Sequence, residues 1–344
     1  MSSSGRTPAG KPVLSSLHAD DDADWNALVD VIRVSDHPAL LPWLRAFLRM
    51  SRGRAAVIVR GTVSFRERYR DLLGASLLRL RARRRRPVVV ISDATIEPGS
   101  RALAGKVPPF VARLLSPASR LLVRLVDGPH VRWCVLSTEE LRSFPETWKV
   151  DPSRVVFTPF QHTLWHDGEN EPVTDDGSVF AGGNSLRDYP LLIDAVRDLP
   201  VPVRIATSWR PDSPPPPHVE IGTVPHEEFL ALLRSCAVVV VPLVESVRST
   251  GQQTYLNAMV LGKPVIVTEA PGVRDHILDG VTGVIVPRDA AALRAAIADA
   301  LDPANADRYA EMGARARADV LARFTERHYR ARLLAVAGLP AGKD

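Results

Sequence analysis

Short apolar runs alternate with helical patterns along most of this chain. In the first half, runs at 12–17, 55–60, 87–91, 133–136 and 155–158 predict strands. Between them, 38–50 places Leu40, Leu41, Leu44, Phe47 and Leu48 on one stripe, 64–86 reads as a basic amphipathic helix, and 101–126 is apolar and basic with breaks at Pro108-Pro109 and Pro117. The second half opens with a strand at 178–183. Strands follow at 203–207, 219–221, 238–241, 265–268 and 284–287, and helices at 189–199, 226–235, 254–261, 290–301 and 306–323. Residues 161–177 are polar and turn-rich and predict a linker. Strand–helix alternation on both sides of it predicts an α/β protein of two Rossmann-like domains, with parallel sheets facing a central cleft. The expected domains are 12–160 and 178–325. A disordered tail is expected at 1–11, and a C-terminal helix and tail at 326–344 that packs back on the first domain.

Composition narrows the class without naming a chemistry. The 344 residues are 45% hydrophobic and 24% charged, as in soluble globular proteins. The two cysteines, Cys134 and Cys236, lie in apolar runs without metal-ligand spacing and predict buried thiols in a reducing compartment. No apolar run approaches the roughly 20 residues that span a bilayer. A cytoplasmic protein is expected. The net charge of +5 is uneven: residues 45–86 carry 14 arginines against Glu67 and Asp71. That density fits either a solvated helix face or attraction to an anionic membrane or acceptor. No base-stacking or recognition-helix signature supports nucleic acid as a partner. The acidic run Asp20-Asp21-Asp22-Ala23-Asp24 is expected to be a solvated loop rather than a metal site.

Chemistry concentrates in the second half. After the strand at 238–241 comes a polar loop, Glu245 to Gln253, and then a helix. In an open parallel sheet this arrangement makes a ligand site, and the free amides of the helix start favour phosphate. Ser249 and Thr250 are good N-cap types, and Gly251 lets a ligand come close. Gln252, Gln253 and Thr254 are expected to offer free N–H groups to a β-phosphate. Gly182 and Gly183 follow a strand, where missing side chains let backbone amides reach a diphosphate. Arg187 is placed to supply charge to the same group. In the first half, Asp93 follows the strand at 87–91. It is a candidate for orienting an acceptor, or an ordinary cap; His162 near the domain junction is a weaker candidate.

Several stretches together resemble the donor domain of GT-B glycosyltransferases of the retaining family-four (group 1) type. They are Phe180-Ala181-Gly182-Gly183-Asn184 through Arg187 and the helix from Leu191 to Ala195; Gly222-Thr223-Val224-Pro225-His226; Asn257-Ala258-Met259 with Gly262-Lys263-Pro264-Val265; and Pro271-Gly272-Val273 with Asp279-Gly280-Val281-Thr282-Gly283. The likeness runs from about 179 to 301 and is thin in the first half. It implies a nucleotide-sugar donor on the second domain and a hydroxyl acceptor on the first, either a lipid-linked glycan or a small natural product. Transfer would retain anomeric configuration, the leaving phosphate would help deprotonate the acceptor, and neither metal nor other cofactor would be needed. Asn184 belongs to the glycine turn, and Thr223 and Val224 would face the base. Two family glutamates are replaced, the first by Ser249 and the ribose-holding second by Asn257, which leaves Glu245 as either the sugar-facing acid or an ordinary loop acid. These departures also admit a non-catalytic nucleotide-sugar binder.

Overall fold

The computed structural model describes residues 10–17, 22–61, 65–96, 109–164 and 170–339. The expected tail at 1–11 falls almost wholly outside these residues, as do Asp20 and Asp21. Two compact units are present. The first comprises 1–136, 140–158 and 330–344; the second comprises 137–139 and 159–329.

The first unit holds a six-stranded parallel sheet in the order β2-β1-β3-β4-β5-β6. Its strands are β1 (Val13–Ser15), β2 (Val29–Val31), β3 (Ala56–Arg60), β4 (Val88–Ser92), β5 (Val131–Val135) and β6 (Val155–Phe157). Every pairing is parallel. One face packs Val57, Val59, Val89, Ile91 and Trp133 against Trp43, Phe47 and Leu72 from the helices Leu40–Met50 and Phe65–Leu78. Chain order reverses between β1 and β3, and Asp71 closes that point. Its buried Oδ2 accepts from Ser16 Oγ at 2.7 Å and from the Arg60 amide at 3.0 Å.

The second unit holds another six-stranded parallel sheet, in the order β12-β11-β10-β7-β8-β9. Its strands are β7 (Val179–Gly182), β8 (Val203–Ala206), β9 (Val219–Gly222), β10 (Val238–Val241), β11 (Val265–Thr268) and β12 (Val284–Val286). Both faces are covered. Val239, Val241, Val265 and Val267 enter one core with Tyr255, Met259 and Phe324; Val238, Val240 and Ile266 enter the other with Leu192, Leu293 and Ile297. That two-sided burial is why these strands read as unbroken valine runs. The helix Gln252–Val260 packs on Ala306–Arg323 at close range, where a Cβ at Gly313 would overlap the Gly262 carbonyl. Arg317 Nη1 donates to the Val260 carbonyl at the same crossing.

The expected α/β class and the two Rossmann-like sheets are observed. Local corrections concern short or interrupted elements. The helix expected at 64–86 ends at Leu78, and Arg83–Arg85 form a separate single turn. Of the helix expected at 101–126, Pro109–Val126 is described, with Pro117 inside it. The acidic run is not simply a solvated loop. Asp22 caps the helix Ala23–Leu28 by accepting from the Trp25 amide at 2.9 Å, and its Oδ2 lies 3.1 Å from Arg330 Nη1. That helix, β2 and the helix Glu140–Trp148 were not expected from the pattern. No group of three or more His, Cys, Asp or Glu with metal-holding geometry occurs among the described residues.

Candidate active site

In the second sheet the chain order, counted from β9, is three-two-one-four-five-six, and it reverses between β7 and β10. Crevices at such reversals, outside the carboxyl ends of the strands, are where α/β sheets hold ligands. Loops from both strands meet here. The segment after β7 carries Gly183, Asn184, Ser185 and Arg187. The segment after β10 carries Glu245 through Gly251 and leads into Gln252–Val260. An isolated antiparallel bridge, Arg187 to Leu243, ties the two segments together.

Arg187 occupies the centre of this junction. Its Nε donates to the Gly182 carbonyl at 3.2 Å. Nη1 donates to the Ser185 carbonyl at 2.6 Å and to Thr250 Oγ1 at 3.5 Å, and Nη2 to Thr254 Oγ1 at 3.0 Å. Each of these acceptors is a neutral oxygen. Burial pushes its pKa down, Tyr189 and Tyr255 oppose that, and Arg248 adds to the depression. A guanidinium nevertheless stays charged. Arg248 reaches the same loop, donating from Nη2 to Ser185 Oγ at 3.0 Å and from Nη1 to the Ser249 carbonyl at 3.1 Å. Gly183 has φ +110°, and a Cβ there would stand 2.9 Å from Arg187 Nη2, so a side chain would displace the guanidinium.

The helix Gln252–Val260 begins at Gly251, which is the N-cap with φ +88°, and no side chain caps it. The cap is therefore neither Ser249 nor Thr250, both of which are buried beside it. The Gly251 carbonyl accepts from the Thr254 amide at 2.9 Å and from the Tyr255 amide at 3.1 Å. The expectation of a free Thr254 amide is thus corrected, because the first turn already uses it. Gln252 and Gln253 stand at the first two helical positions, ahead of any intrahelical acceptor. The helix dipole adds partial positive charge at this end, next to Arg187.

The other predicted residues take distinct places. Asn184 is a brace: Oδ1 accepts from Thr207 Oγ1 at 2.8 Å, from the Ser208 amide at 2.7 Å and from Ser208 Oγ at 2.9 Å. Thr223, after β9, donates to the Thr207 carbonyl at 3.4 Å, and Val224 packs partly buried against the core. These residues and Arg187 share the carboxyl edge of β7, β8 and β9. Glu245 is exposed on the loop after β10. Asn257 is buried one helical turn further in, and both ends of its amide are engaged. Oδ1 accepts from the Thr163 amide at 2.7 Å, and Nδ2 donates to Thr163 Oγ1 at 2.9 Å. Gln253 Nε2 also donates to Thr163 Oγ1, at 3.1 Å. His162, next to Thr163, is buried, with its pKa pushed down to about 4 by burial and by Arg317. Asp93 belongs to the first unit, where it follows β4 with φ +48° and its carbonyl accepts from the Thr95 amide at 2.6 Å. Cys134 and Cys236 are buried, and burial raises each thiol to about 12, which leaves them without nucleophilic character.

Arg248, Ser185 and Thr163 were missed. A signal existed for Arg248, a second base inside the loop already singled out. None existed for Thr163, whose partner is 94 positions away in sequence.

A family model described as Glycosyl transferases group 1 matches residues 217–303. No curated protein matches the chain. Among solved structures, sucrose-phosphate synthase from Thermosynechococcus elongatus is similar over 86% of this chain and 77% of its own, with TM-score 0.63 and 16% identity. HepE from Anabaena, solved in complex with UDP-glucose, is similar over 92% of this chain and 87% of its own, with TM-score 0.61 and 14% identity. WaaG, a glycosyltransferase involved in lipopolysaccharide biosynthesis, is similar over 86% of this chain and 94% of its own, with TM-score 0.56 and 14% identity. At these identities the likeness establishes the fold: two Rossmann-like domains of the GT-B kind.

Proposed function

We propose that this chain is a glycosyltransferase that moves a sugar from a nucleoside diphosphate donor to a hydroxyl acceptor with retention of configuration. The observation that carries the reading is Arg187, a charged guanidinium held by neutral oxygens alone, beside a helix start that no side chain caps. Such a place is short of one anion, and a diphosphate supplies it. The family match over 217–303 and the UDP-glucose complex of HepE point the same way.

Arg187 and the Gln252 and Gln253 amides hold the diphosphate and stabilise the charge that grows on it as the glycosyl bond breaks. Arg248 reinforces the same field. Thr223 and Val224 face the base. Glu245, exposed beside the crevice, contacts the sugar. Asp93 orients the acceptor hydroxyl on the first domain, 12–160, while the donor stays on the second, 178–325. The departing phosphate takes the acceptor proton, so the chemistry rests on positioning and charge and needs no metal.

The test is a thermal-shift screen against UDP, GDP, dTDP, ADP and their sugars, followed by product analysis with hydroxyl acceptors. A matching nucleotide at 100 times its dissociation constant raises stability by about 2.7 kcal/mol. The anomeric form of the product, read by proton NMR, decides retention. Silence from every nucleotide would overturn the reading. A second reading, a binder without turnover, is favoured by Asn257, whose amide is already committed to Thr163. It predicts nucleotide-sugar binding with neither transfer nor hydrolysis.

A further inference from the structure

The helix Pro109–Val126 has two apolar sides. One is internal: Val123 and Val126 lie in the core of the first unit, and Leu122 packs against it. The other meets water. Phe110 is 72% exposed, Leu121 58% and Leu125 49%. At about 100° per residue these three and the exposed Pro117 fall within about 80° of the helix circumference, along about 22 Å of its length. Arg120 and Arg124, both exposed, border the stripe, and the helix contains no acid.

Its C-terminal end adjoins a second element of the same character. Arg79 Nη1 donates to the Arg124 carbonyl at 2.9 Å. Leu80, next to Arg79, is 82% exposed, and the turn Arg83–Arg85 is exposed beyond it. Two other arginines of this basic stretch are used inside the unit. Arg81 donates to the Ser51 and Leu48 carbonyls and Arg54 to the Met50 carbonyl, which closes the helix Leu40–Met50. Exposed on these two elements are Arg79, Arg83, Arg84, Arg85, Arg120 and Arg124; Arg45, Arg49 and Arg52 are exposed elsewhere in the basic stretch. None of the first six forms an ion pair among the described residues.

A water-facing row of phenylalanine and leucine bordered by guanidiniums matches one environment. Apolar side chains enter the acyl boundary of a bilayer while arginines stay at the phosphates. A nucleic acid would use the arginines and leave the leucines idle. A second copy of the chain would set six like charges against six. No helix of the described residues is long and apolar enough to cross a membrane, so contact is at the surface. We propose that this face of the first unit docks on an anionic lipid surface.

The test is cosedimentation of the full chain with vesicles of phosphatidylcholine, alone or mixed with phosphatidylglycerol. Binding is expected to the anionic vesicles at low salt, to weaken in high salt, and to be absent from phosphatidylcholine alone. The double variant Leu121→Asp/Leu125→Asp should lose binding by about tenfold per leucine while keeping its melting temperature. Arg84→Gln/Arg85→Gln should lose about fivefold per charge at low salt and carries the test if the leucine variant does not fold. Leu278→Asp, an exposed leucine of the second unit, should bind as the parent does. Failure to bind anionic vesicles, a double variant that binds normally, preference for a DNA duplex over vesicles, or a dimer dissolved by Leu121→Asp would each overturn the proposal. Nucleotide binding is measured in parallel, and its persistence alongside vesicle failure would end this inference without touching the donor site.

Discussion

Where chain order reverses, the first sheet holds a carboxylate and the second a guanidinium. Asp71 is buried and accepts from Ser16 and from the Arg60 amide, so hydroxyl and backbone groups of the same unit already answer its oxygen. Arg187 sits at the matching place between β7 and β10, yet its partners are neutral and the neighbouring helix start is bare. Two sheets built by one strand–helix rhythm thus end in opposite electrostatics. One reversal is closed by internal bonds, and the other keeps positive charge that internal groups do not balance. The fold supplies the location, and single side chains decide whether it is structural or receptive.

The contrast breaks most visibly at Asp71. Asp71→Ala takes the buried partner from a half-buried hydroxyl and a backbone amide, so we expect a loss of about 1–3 kcal/mol in denaturant unfolding with nucleotide affinity of the folded fraction unchanged. Parallel loss of nucleotide binding would show that the two reversals are not independent. Arg187→Ala should behave in the opposite way. Diphosphate binding should weaken by about 1.5–3 kcal/mol by calorimetry, while stability changes little, since only neutral hydrogen bonds are lost. Unchanged affinity would remove Arg187 from the site.

A pH effect comes next. His162 is held neutral, with a folded value of about 4 against 6.5 for a free histidine. The unfolded chain therefore binds the extra proton first. Stability is full above about pH 6.5 and declines as pH falls toward 4. Chemical denaturation at pH 7 and pH 5 should show the decline, and His162→Phe should flatten it. The smallest effect belongs to Asn257→Ala, about 1 kcal/mol of stability from the freed Thr163. If ribose and deoxyribose nucleotides lose affinity equally in that variant, Asn257 braces the helix and does not read the sugar of the nucleotide.

Legibility in the sequence followed the range of the forces involved. β10 and β11 were plain because two-sided burial demands unbroken valine and isoleucine, a purely local record. β2 was invisible because Val29-Asp30-Val31 is too short to set a period, and it exists through pairing with β1. The helix Glu140–Trp148 hid behind Pro145, which normally argues against a helix interior. At the candidate site, Gly183, Arg187 and Gly251 were legible because a turn after a strand constrains residue type locally. The true cap, Gly251 rather than Ser249 or Thr250, was not, since residue preference ranks serine and threonine high and says nothing of φ. The Asn257–Thr163 and Asp71–Ser16 pairs lay beyond reach, because each joins residues that only the completed fold brings together.

The close crossing at Gly262 and Gly313 bears on how this second unit could be exchanged between proteins. The helix that begins at the crevice ends against Ala306–Arg323 with no room for even a methyl group, and Arg317 fastens the same spot. A chimera that borrowed only the crevice loops and their helix would meet a foreign side chain there and be levered out of place. The transferable module therefore extends through Arg323, and a graft cut short of that helix should yield insoluble protein where the longer one yields a folded hybrid.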